Sequence, residues 1–249
     1  MTHVLIVGES WTSQATHIKG FDQFSTASYH EGVGPLRDAL TAAGVTVEHM
    51  PAHAVPSELP DTLDGLRAYD VIILSDIGAD TILLRPETFV DGRLTVNRLS
   101  LLKEWVLAGG GLAMAGGYLS FQGISGRARY HRTAIEDVLP CRIDPWDDRV
   151  EVPEGLSASV VGDSHPVVGG IDTRWPALLG YNRVALREDA TLLAEYDGDP
   201  ILATRRVGAG RTLIWTSDIG PHWCPEAFSA WPGYAGLWHG AVSWLAGMT

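Results

Sequence analysis

The sequence predicts an α/β protein with a doubly wound, mostly parallel sheet and an antiparallel β extension in its C-terminal half. Three observations favour this fold class. Short apolar runs recur along the first 140 residues and close on glycine or a polar residue, as central parallel strands do. Segments with helical spacing of apolar residues separate these runs. After Pro140, strand-like segments divided by turn residues replace the strand–helix alternation.

The N-terminal half contains four predicted strands and three predicted helices. The strands are His3–Gly8, Val45–His49, Val71–Ser75 and Leu112–Ala115. The helices are Pro35–Ala43, Thr62–Tyr69 and Leu94–Leu107, the first and last of which end at glycine. This order of elements is the one that a doubly wound sheet requires.

The C-terminal half is predicted to be richer in strands. Val150–Val161 and Thr191–Thr204 have strand character, and Ile201–Arg206 with Arg211–Thr216 flanks a glycine-containing turn typical of a hairpin. A last helix is predicted over Tyr234–Ala246. Because the chain has no internal repeat and no linker-like stretch, we expect residues 1–249 to form one domain.

Composition excludes several classes of function. A formal net charge of -12, with no basic cluster, disfavours binding to nucleic acid or to an anionic membrane surface. The apolar runs are too short to span a bilayer, and the N-terminus lacks the layout of a signal peptide. Two cysteines give no disulfide framework, so we expect a reducing, cytoplasmic location.

The most informative stretch is Gly109–Gly123, a buried strand that ends in Gly116-Gly117 and then turns sharply. Enzymes of α/β architecture use such a turn to present a nucleophile above the sheet. Glycine suits it because the backbone needs unusual dihedrals and close approach to other segments. The residue at the tip is Tyr118, which is neither cysteine nor serine.

The chain resembles the class I glutamine amidotransferase-like superfamily, and within it the group of amidotransferase-like proteins of unknown function. The resemblance covers most of the chain. It depends on the order of five features, namely Gly8-Glu9-Ser10, the glycine turn, Asp147-Asp148-Arg149-Val150-Glu151, the strand exit at Thr216–His222, and Trp231-Pro232-Gly233-Tyr234. It implies a flavodoxin-like parallel sheet.

The resemblance also implies which positions carry the chemistry. Working amidotransferases have a cysteine nucleophile where this chain has Tyr118, and a phenol with an ordinary pKa near 10 is a poor substitute for a thiolate. His222 matches the family histidine. Glu226 follows it four residues later rather than two, so its match is weak. We therefore expect no hydrolysis of glutamine by the family mechanism.

A candidate site follows from these positions, because ligands of open α/β sheets bind beyond the carboxyl ends of the strands. The candidate catalytic residues are Glu9, Tyr118 and His222, and the candidate ligand-binding residues are Ser10, Trp11, Asp76, Ser120, Asp218 and Trp223. Glu9 is a general base or a hydrogen-bond partner of Tyr118, or else a cap on the segment that follows it. Tyr118 either donates a proton or fills the former nucleophile pocket.

We expect neither a metal nor a bound cofactor. The chain has no His or Cys pair at zinc-site spacing and no phosphate-binding glycine motif, although Glu9, Asp218 and His222 leave a metal site geometrically open. A displaced nucleophile at Cys224 is the weaker alternative, because a free cysteine is most often a small buried apolar residue.

Two classes of function remain open at this point. In the first, acid–base residues act on or bind a small polar metabolite. The hydroxyl groups and the four tryptophans that lie in predicted loops suggest a carbohydrate-derived compound; these are Trp11, Trp146, Trp223 and Trp231. In the second, the chain is a catalytically inactive binding or assembly module. We also predict a homodimer or higher homo-oligomer formed through the segment after Pro140, with Trp146, Trp175 and Trp231 at the interface or, alternatively, over the ligand pocket.

Overall fold

A computed structural model describes residues 2–162 and 164–248. An eight-stranded sheet organises these residues in the order β4-β1-β5-β6-β14-β13-β12-β9. The strands, in chain order, are β1 (His3–Gly8), β2 (Ser10–Lys19), β3 (Asp22–Glu31), β4 (Thr46–Met50), β5 (Val71–Ser75), β6 (Gly111–Ala115), β7 (Cys141–Arg142), β8 (Arg149–Leu156), β9 (Ser159–Val160), β10 (Leu178–Asn182), β11 (Ala185–Leu186), β12 (Thr191–Tyr196), β13 (Asp199–Val207) and β14 (Gly210–Trp215).

Helices fill the connections between the parallel strands. They are α1 (Gly34–Ala42), α2 (Val55–Glu58), α3 (Leu63–Leu66), α4 (Ala79–Leu83), α5 (Pro86–Phe89), α6 (Arg98–Leu107), α7 (Ala134–Val138), α8 (Glu226–Ser229) and α9 (Pro232–Leu245), with a 3-10 turn at Ile124–Gly126. Among the described residues, no helix combines the length and apolar character needed to cross a membrane.

Five strands of the large sheet are parallel and three extend it antiparallel. β4, β1, β5, β6 and β14 pair in parallel, whereas β13 pairs antiparallel with β14, β12 with β13, and β9 with β12. The predicted α/β class, the mostly parallel sheet and its antiparallel extension are thus present. The remaining strands form three two-stranded sheets, β10-β8, β11-β7 and β2-β3.

Both faces of the sheet are covered, and its central strands β1 and β5 are apolar apart from His3 at the start of β1 and Ser75 at the end of β5. Along β1, Val4 and Ile6 join a core with α1 and α9, while Leu5 and Val7 join a second core with α6. Alternate side chains of a strand point to opposite faces, so a strand buried on both sides shows a continuous apolar run.

Several predicted boundaries differ from the structure. The strand predicted over Thr191–Thr204 is two strands, because Asp197 and Gly198 both have positive φ and turn the chain between β12 and β13. The helix predicted from Leu94 begins at Arg98, since the Asn97 side chain accepts a hydrogen bond from the Ser100 amide and caps the helix there.

The segment expected to be a loop after β1 is a long β-hairpin. Ser10 and Trp11 open β2, which pairs antiparallel with β3 along ten residues, from Ser10 opposite Glu31 to Lys19 opposite Asp22. The loop assignment of Trp11 is therefore wrong. The interpretation of Glu9 as a cap also fails, because a strand and not a helix follows it.

The predicted interface after Pro140 needs correction at Trp175. This side chain is buried in an aromatic cluster with Trp215, Phe228 and Trp231, at centroid separations of 6.0 to 6.4 Å. It belongs to the core because it fills space between the sheet and α8. Of the three tryptophans expected at an interface, Trp146 is exposed and Trp231 is half-buried.

Candidate functional site

A cavity of about 600 Å³ opens where the parallel strands β1, β5, β6 and β14 end. Carboxyl, aromatic and apolar side chains line it: Glu9, Trp11, Asp76, Tyr118, Leu119, Ile124, Arg127, Asp218, Pro221 and His222. This edge of a parallel sheet is where α/β proteins bind ligands. A second cavity, of about 400 Å³, lies near His165, Arg206 and Trp244 and contains none of the candidate site residues.

Glu9 is held by the sheet itself. Its backbone φ is +48°, a value that residues other than glycine rarely adopt. Its amide donates a hydrogen bond to the Ser75 carbonyl at 2.7 Å. The Ser75 hydroxyl donates to Glu9 Oε2 at 2.6 Å. The buried carboxylate is packed against Gly32, where any larger residue would overlap Glu9 Oε1.

Asp76 adopts the same kind of backbone conformation at the end of the neighbouring strand. Its φ is +43°, and its Oδ1 accepts a hydrogen bond from the Leu119 amide at 2.6 Å. The Asp76 amide in turn donates to the Ser120 hydroxyl at 3.1 Å. Strained non-glycine residues cluster at functional sites, and two of them end adjacent strands here.

Asp218 is the third carboxylate at the cavity and comes three residues after β14. It is buried, and its Oδ1 accepts a hydrogen bond from the Ile219 amide at 2.9 Å. Its Oδ2 lies 3.8 Å from Nδ1 of His222, whose side chain is half exposed at the rim. The structure therefore places an acidic interior beneath an accessible imidazole.

Burial governs the protonation of these three carboxyl groups. It raises the pKa of Glu9 to about 7, with repulsion from Asp76 adding to the effect and the Ser75 hydrogen bond opposing it. Burial raises the pKa of Asp218 well above its ordinary value, with further increases from Glu9 and Asp76. It also raises the pKa of Asp76, against the Leu119 amide and the nearby His222. At neutral pH the group therefore retains protons that exposed carboxyls would lose.

Tyr118 forms one wall of the cavity and is half-buried. Its ring and that of His222 are nearly perpendicular, with a centroid separation of 4.5 Å and an interplanar angle of 89°. The Arg149 guanidinium lies 4.8 Å from the ring centroid. The Tyr118 hydroxyl donates to Glu151 Oε1 at 3.1 Å, so the expected hydrogen bond to Glu9 is replaced by one to β8. Burial and the Glu151 carboxylate raise the pKa of the phenol, which keeps it protonated at neutral pH.

A buried polar network fixes the glycine turn that carries Tyr118. Asn182 Oδ1 accepts a hydrogen bond from the Gly117 amide at 3.0 Å, and Asn182 Nδ2 donates to Asp148 Oδ1 at 2.8 Å. The Asp148 carboxylate also accepts from the Gln122 and Gly123 amides at 2.7 and 2.9 Å. Sequence reasoning assigned no role to Asn182, because nothing local marks a strand asparagine as the partner of a distant turn.

Six of the nine candidate site residues line this cavity: Glu9, Trp11, Asp76, Tyr118, Asp218 and His222. The other three hold the structure around it. Ser10 accepts a hydrogen bond from the Ala52 amide at 2.8 Å, and Ser120 accepts one from Asp76. Trp223 is buried and donates from Nε1 to Glu151 Oε2 at 2.9 Å.

The structure also locates Cys224, Glu226 and the side chains that could bind a metal ion. Cys224 is buried, and burial raises the pKa of its thiol above the ordinary value, with a further contribution from Asp218. Glu226 is exposed in the first turn of α8, outside the cavity lining. Within residues 2–162 and 164–248, no group of three or more His, Cys, Asp or Glu side chains has an arrangement that could hold a metal ion.

Comparison with known proteins identifies the family of this chain. The family model described as "Putative glutamine amidotransferase" matches residues 3–247. The chain belongs to this amidotransferase-like family. This match confirms the resemblance that the glycine turn and the strand exits carry.

Two solved structures are similar along almost their whole length. A cytoplasmic protein from Salmonella typhimurium is 42% identical, with a TM-score of 0.94 over 97% of this chain and 98% of its own. A second cytoplasmic protein, from Salmonella typhimurium LT2, is 38% identical, with a TM-score of 0.94 over 98% and 99%. A thua-like protein from Parabacteroides merdae shares the fold alone, at 15% identity and a TM-score of 0.61 over 98% and 89%. A search among curated proteins found no significant match.

Proposed function

We propose that this amidotransferase-like protein binds a small polar metabolite at the strand-end cavity and transfers protons to or from it through Glu9 and His222. The observation that carries the proposal is the convergence of two buried carboxyl groups, Glu9 and Asp218, a half-buried one, Asp76, an accessible imidazole and two aromatic rings on one open cavity of about 600 Å³. Packing alone does not require three acidic groups beneath a cavity, because each is costly to bury.

Glu9 is the proposed general acid or base. A carboxyl group serves in both roles near neutral pH only if its pKa is close to 7, and burial brings Glu9 to that range. His222 stands at the rim, where its imidazole reaches a ligand that enters from solvent. The ring of Tyr118 packs against this imidazole and so limits its orientation.

The chemistry of the lining favours a neutral or cationic ligand with hydroxyl groups. Carboxyl oxygens accept hydrogen bonds from hydroxyls, and the flat faces of Trp11 and Tyr118 suit the apolar faces of a sugar ring. Arg127 is the one arginine in the lining, so three acidic groups disfavour an anion. We therefore propose a carbohydrate-derived metabolite as the ligand class.

The same reasoning disfavours hydrolysis of glutamine. A thiol attacks as its thiolate, and burial raises the pKa of both Cys141 and Cys224, which keeps both thiols protonated. The phenol of Tyr118, at the tip of the turn, is likewise kept protonated. We propose that the chain has lost amide hydrolysis while keeping the cavity.

A catalytically inactive assembly module is the second candidate. It is favoured by one observation, the long hairpin of β2 and β3, whose side chains beyond Ser10 are exposed. In that case the cavity would be a remnant, and ligand binding would not depend on Glu9.

A thermal-shift screen against a metabolite library separates the two candidates. A ligand of the folded state raises the melting temperature by mass action. We expect neutral polyhydroxy compounds to raise it for the wild type and for Glu104→Gln, a change at an exposed residue of α6. They should not raise it for Glu9→Gln, which keeps the shape of the side chain. Shifts of equal size in all three proteins would contradict the proposed site. Mass spectrometry of each hit after incubation then tests for turnover.

Three wider expectations accompany this proposal. The parallel strands run in the order second, first, third, fourth, fifth, which supports a flavodoxin-like winding. The family match over residues 3–247 supports one domain. The two Salmonella relatives named as cytoplasmic proteins support a cytoplasmic location.

A further inference from the structure

The hairpin Ser10–Glu31, which we call the arm, contacts the body of the protein at its base, where the rings of Tyr29 and His53 lie 5.4 Å apart, and is exposed beyond that. Every side chain from Trp11 to Glu31 is exposed on both faces of the ribbon. Ten residues per strand make the arm roughly 30 Å long. An isolated two-stranded ribbon is marginally stable in water and leaves both edges free to pair with other chains. Contact with a partner surface would therefore stabilise the arm.

The charge of the arm indicates what kind of partner fits. The chain as a whole has a net charge of -12, yet the charged residues of the arm are only Lys19 and Asp22 at its tip and Glu31 at its base. The ribbon between them consists of small, hydroxyl, amide, imidazole and aromatic side chains together with the aliphatic Ile18. Two copies of an acidic protein repel each other, and this uncharged stretch is a surface on which they can meet without that cost.

One face of the arm is self-complementary. Trp11 and His30 stack at 5.3 Å near the base, and His17 and Phe24 stack at 4.6 Å towards the tip. Between the two stacked pairs lie small residues on the same face, the cross-strand pairs Ser13–Ser28 and Ala15–Thr26. A two-fold axis through these small residues brings the basal pair of one copy against the outer pair of the other. Closed two-fold contacts require this kind of match.

We propose that the protein forms a two-fold dimer in which the arms of two copies pack antiparallel through this face. Because the arms run in opposite directions, the tip of each lies beside the base of the other. At the base, Trp11 belongs both to the arm and to the lining of the cavity. Phe21, fully exposed at the tip, therefore covers the mouth of the cavity in the second copy.

The area of the arm supports contact at the tip as well as on the face. A ribbon about 10 Å wide and about 30 Å long offers roughly 300 Å² per face. A stable interface buries about 800 Å² of each partner. The face alone is too small, so the tip must reach the body of the second copy. This inference goes beyond the proposed function, because it holds whether or not the cavity is catalytic.

The first test is the mass in solution, measured by light scattering at micromolar concentration. We expect wild-type protein at twice the chain mass of 26.9 kDa, and Phe24→Asp at the monomer mass with an unchanged far-ultraviolet circular dichroism spectrum. Leu94→Asp is the matched control, because Leu94 is 102% exposed outside the arm; it should leave the dimer intact. A monomeric wild type, or an oligomer that survives Phe24→Asp, overturns the proposal, as does a control that dissociates equally.

The second test does not depend on how the arm tolerates a charge. Both natural cysteines are buried, so Ala15→Cys adds an accessible thiol near the proposed axis. A short bis-maleimide should then link two chains covalently at low protein concentration. Leu94→Cys, treated alike, should remain uncrosslinked. Absence of crosslinking through Ala15→Cys in a dimeric sample would place the interface elsewhere and overturn the antiparallel arrangement.

Discussion

The Ser75 hydroxyl donates a 2.6 Å hydrogen bond to the Glu9 carboxylate, and the Glu9 amide donates a 2.7 Å bond back to the Ser75 carbonyl. These two bonds join the ends of two adjacent parallel strands. The position of the carboxyl group is therefore set by the sheet rather than by a loop. Groups held in this way suit binding and catalysis, because their geometry is fixed before a ligand arrives.

The first prediction concerns Glu9 and pH. Burial raises its pKa to about 7, whereas the unfolded chain has the ordinary value of 4.5. Between these values the folded protein holds a proton that the unfolded chain releases, so rising pH favours unfolding. Glu9→Gln removes this contribution. As pH rises from about 4.5 to 7, we expect the free energy of unfolding of the variant to increase relative to that of the wild type. The total relative increase should be on the order of 3 kcal/mol at pH 7.

Denaturant titrations of both proteins at half-unit pH steps check this prediction. Asp76 and Asp218 also have raised pKa values and contribute with the same sign in both proteins. Because the Glu9 charge itself raises the pKa of Asp218, the difference between the two curves reports Glu9 together with its interaction with Asp218. A difference that stays constant from pH 4 to pH 8 would contradict a raised pKa at Glu9.

The second prediction concerns the space beside the Glu9 carboxylate. A methyl group at Gly32 would overlap Glu9 Oε1, while a methyl group at Gly34 would meet no atom within 4 Å. Gly32→Ala must therefore shift the Glu9 side chain, and we expect it to destabilise the protein by about 1–3 kcal/mol. Gly34→Ala, at the first residue of α1, should change stability by less than about 1 kcal/mol.

Thermal melts of the two alanine variants at pH 7 make this comparison. A Gly32→Ala protein as stable as Gly34→Ala would mean that the Glu9 side chain has room to move. In that case the sheet would not fix the position of the Glu9 carboxyl group.

The third prediction concerns Asn182, the partner of the glycine turn. Asn182→Ala leaves the buried Gly117 amide without its acceptor and deprives Asp148 of a neutral donor. Unsatisfied buried groups cost about 1–3 kcal/mol each, so we expect a loss of about 2–4 kcal/mol. Asn97→Ala, which removes only the exposed cap of α6, should cost about 1 kcal/mol.

Urea denaturation provides the measurement, and the midpoint should fall without a change in slope. Equal losses in the two asparagine variants would show that the turn does not depend on its buried network.

The central parallel strands were predictable from sequence because a strand buried on both faces appears in the sequence as a continuous apolar run. β1 and β5, which Glu9 and Asp76 directly follow, have the bounds that the sequence predicted. The convergence of the candidate residues followed from the same reasoning, since parallel strands end at one edge of a sheet.

The arm was not predictable from the same signal. Strand prediction relies on alternation between a buried and an exposed face, and residues 11–31 have no buried face. Polar residues such as Ser, Thr, Gln and His therefore occur on both sides, without the alternation of polar and apolar residues that marks a half-buried strand. Asn182 escaped notice for a different reason, because its partners Gly117 and Asp148 are distant in sequence and only the fold brings them together.

The last prediction concerns the two cysteines and ammonia. Burial raises the pKa of both thiols, so at pH 7.5 neither supplies the thiolate that attacks a glutamine amide. We expect no release of ammonia from glutamine above the buffer background, and the same result for Cys224→Ala. A thiol-reactive chromogenic reagent should find no accessible thiol in the folded protein and two per chain after unfolding in guanidinium. Ammonia release that disappears in Cys224→Ala would show instead that this thiol reaches the substrate, and the catalytic site would then have to be rebuilt around Cys224 and His222.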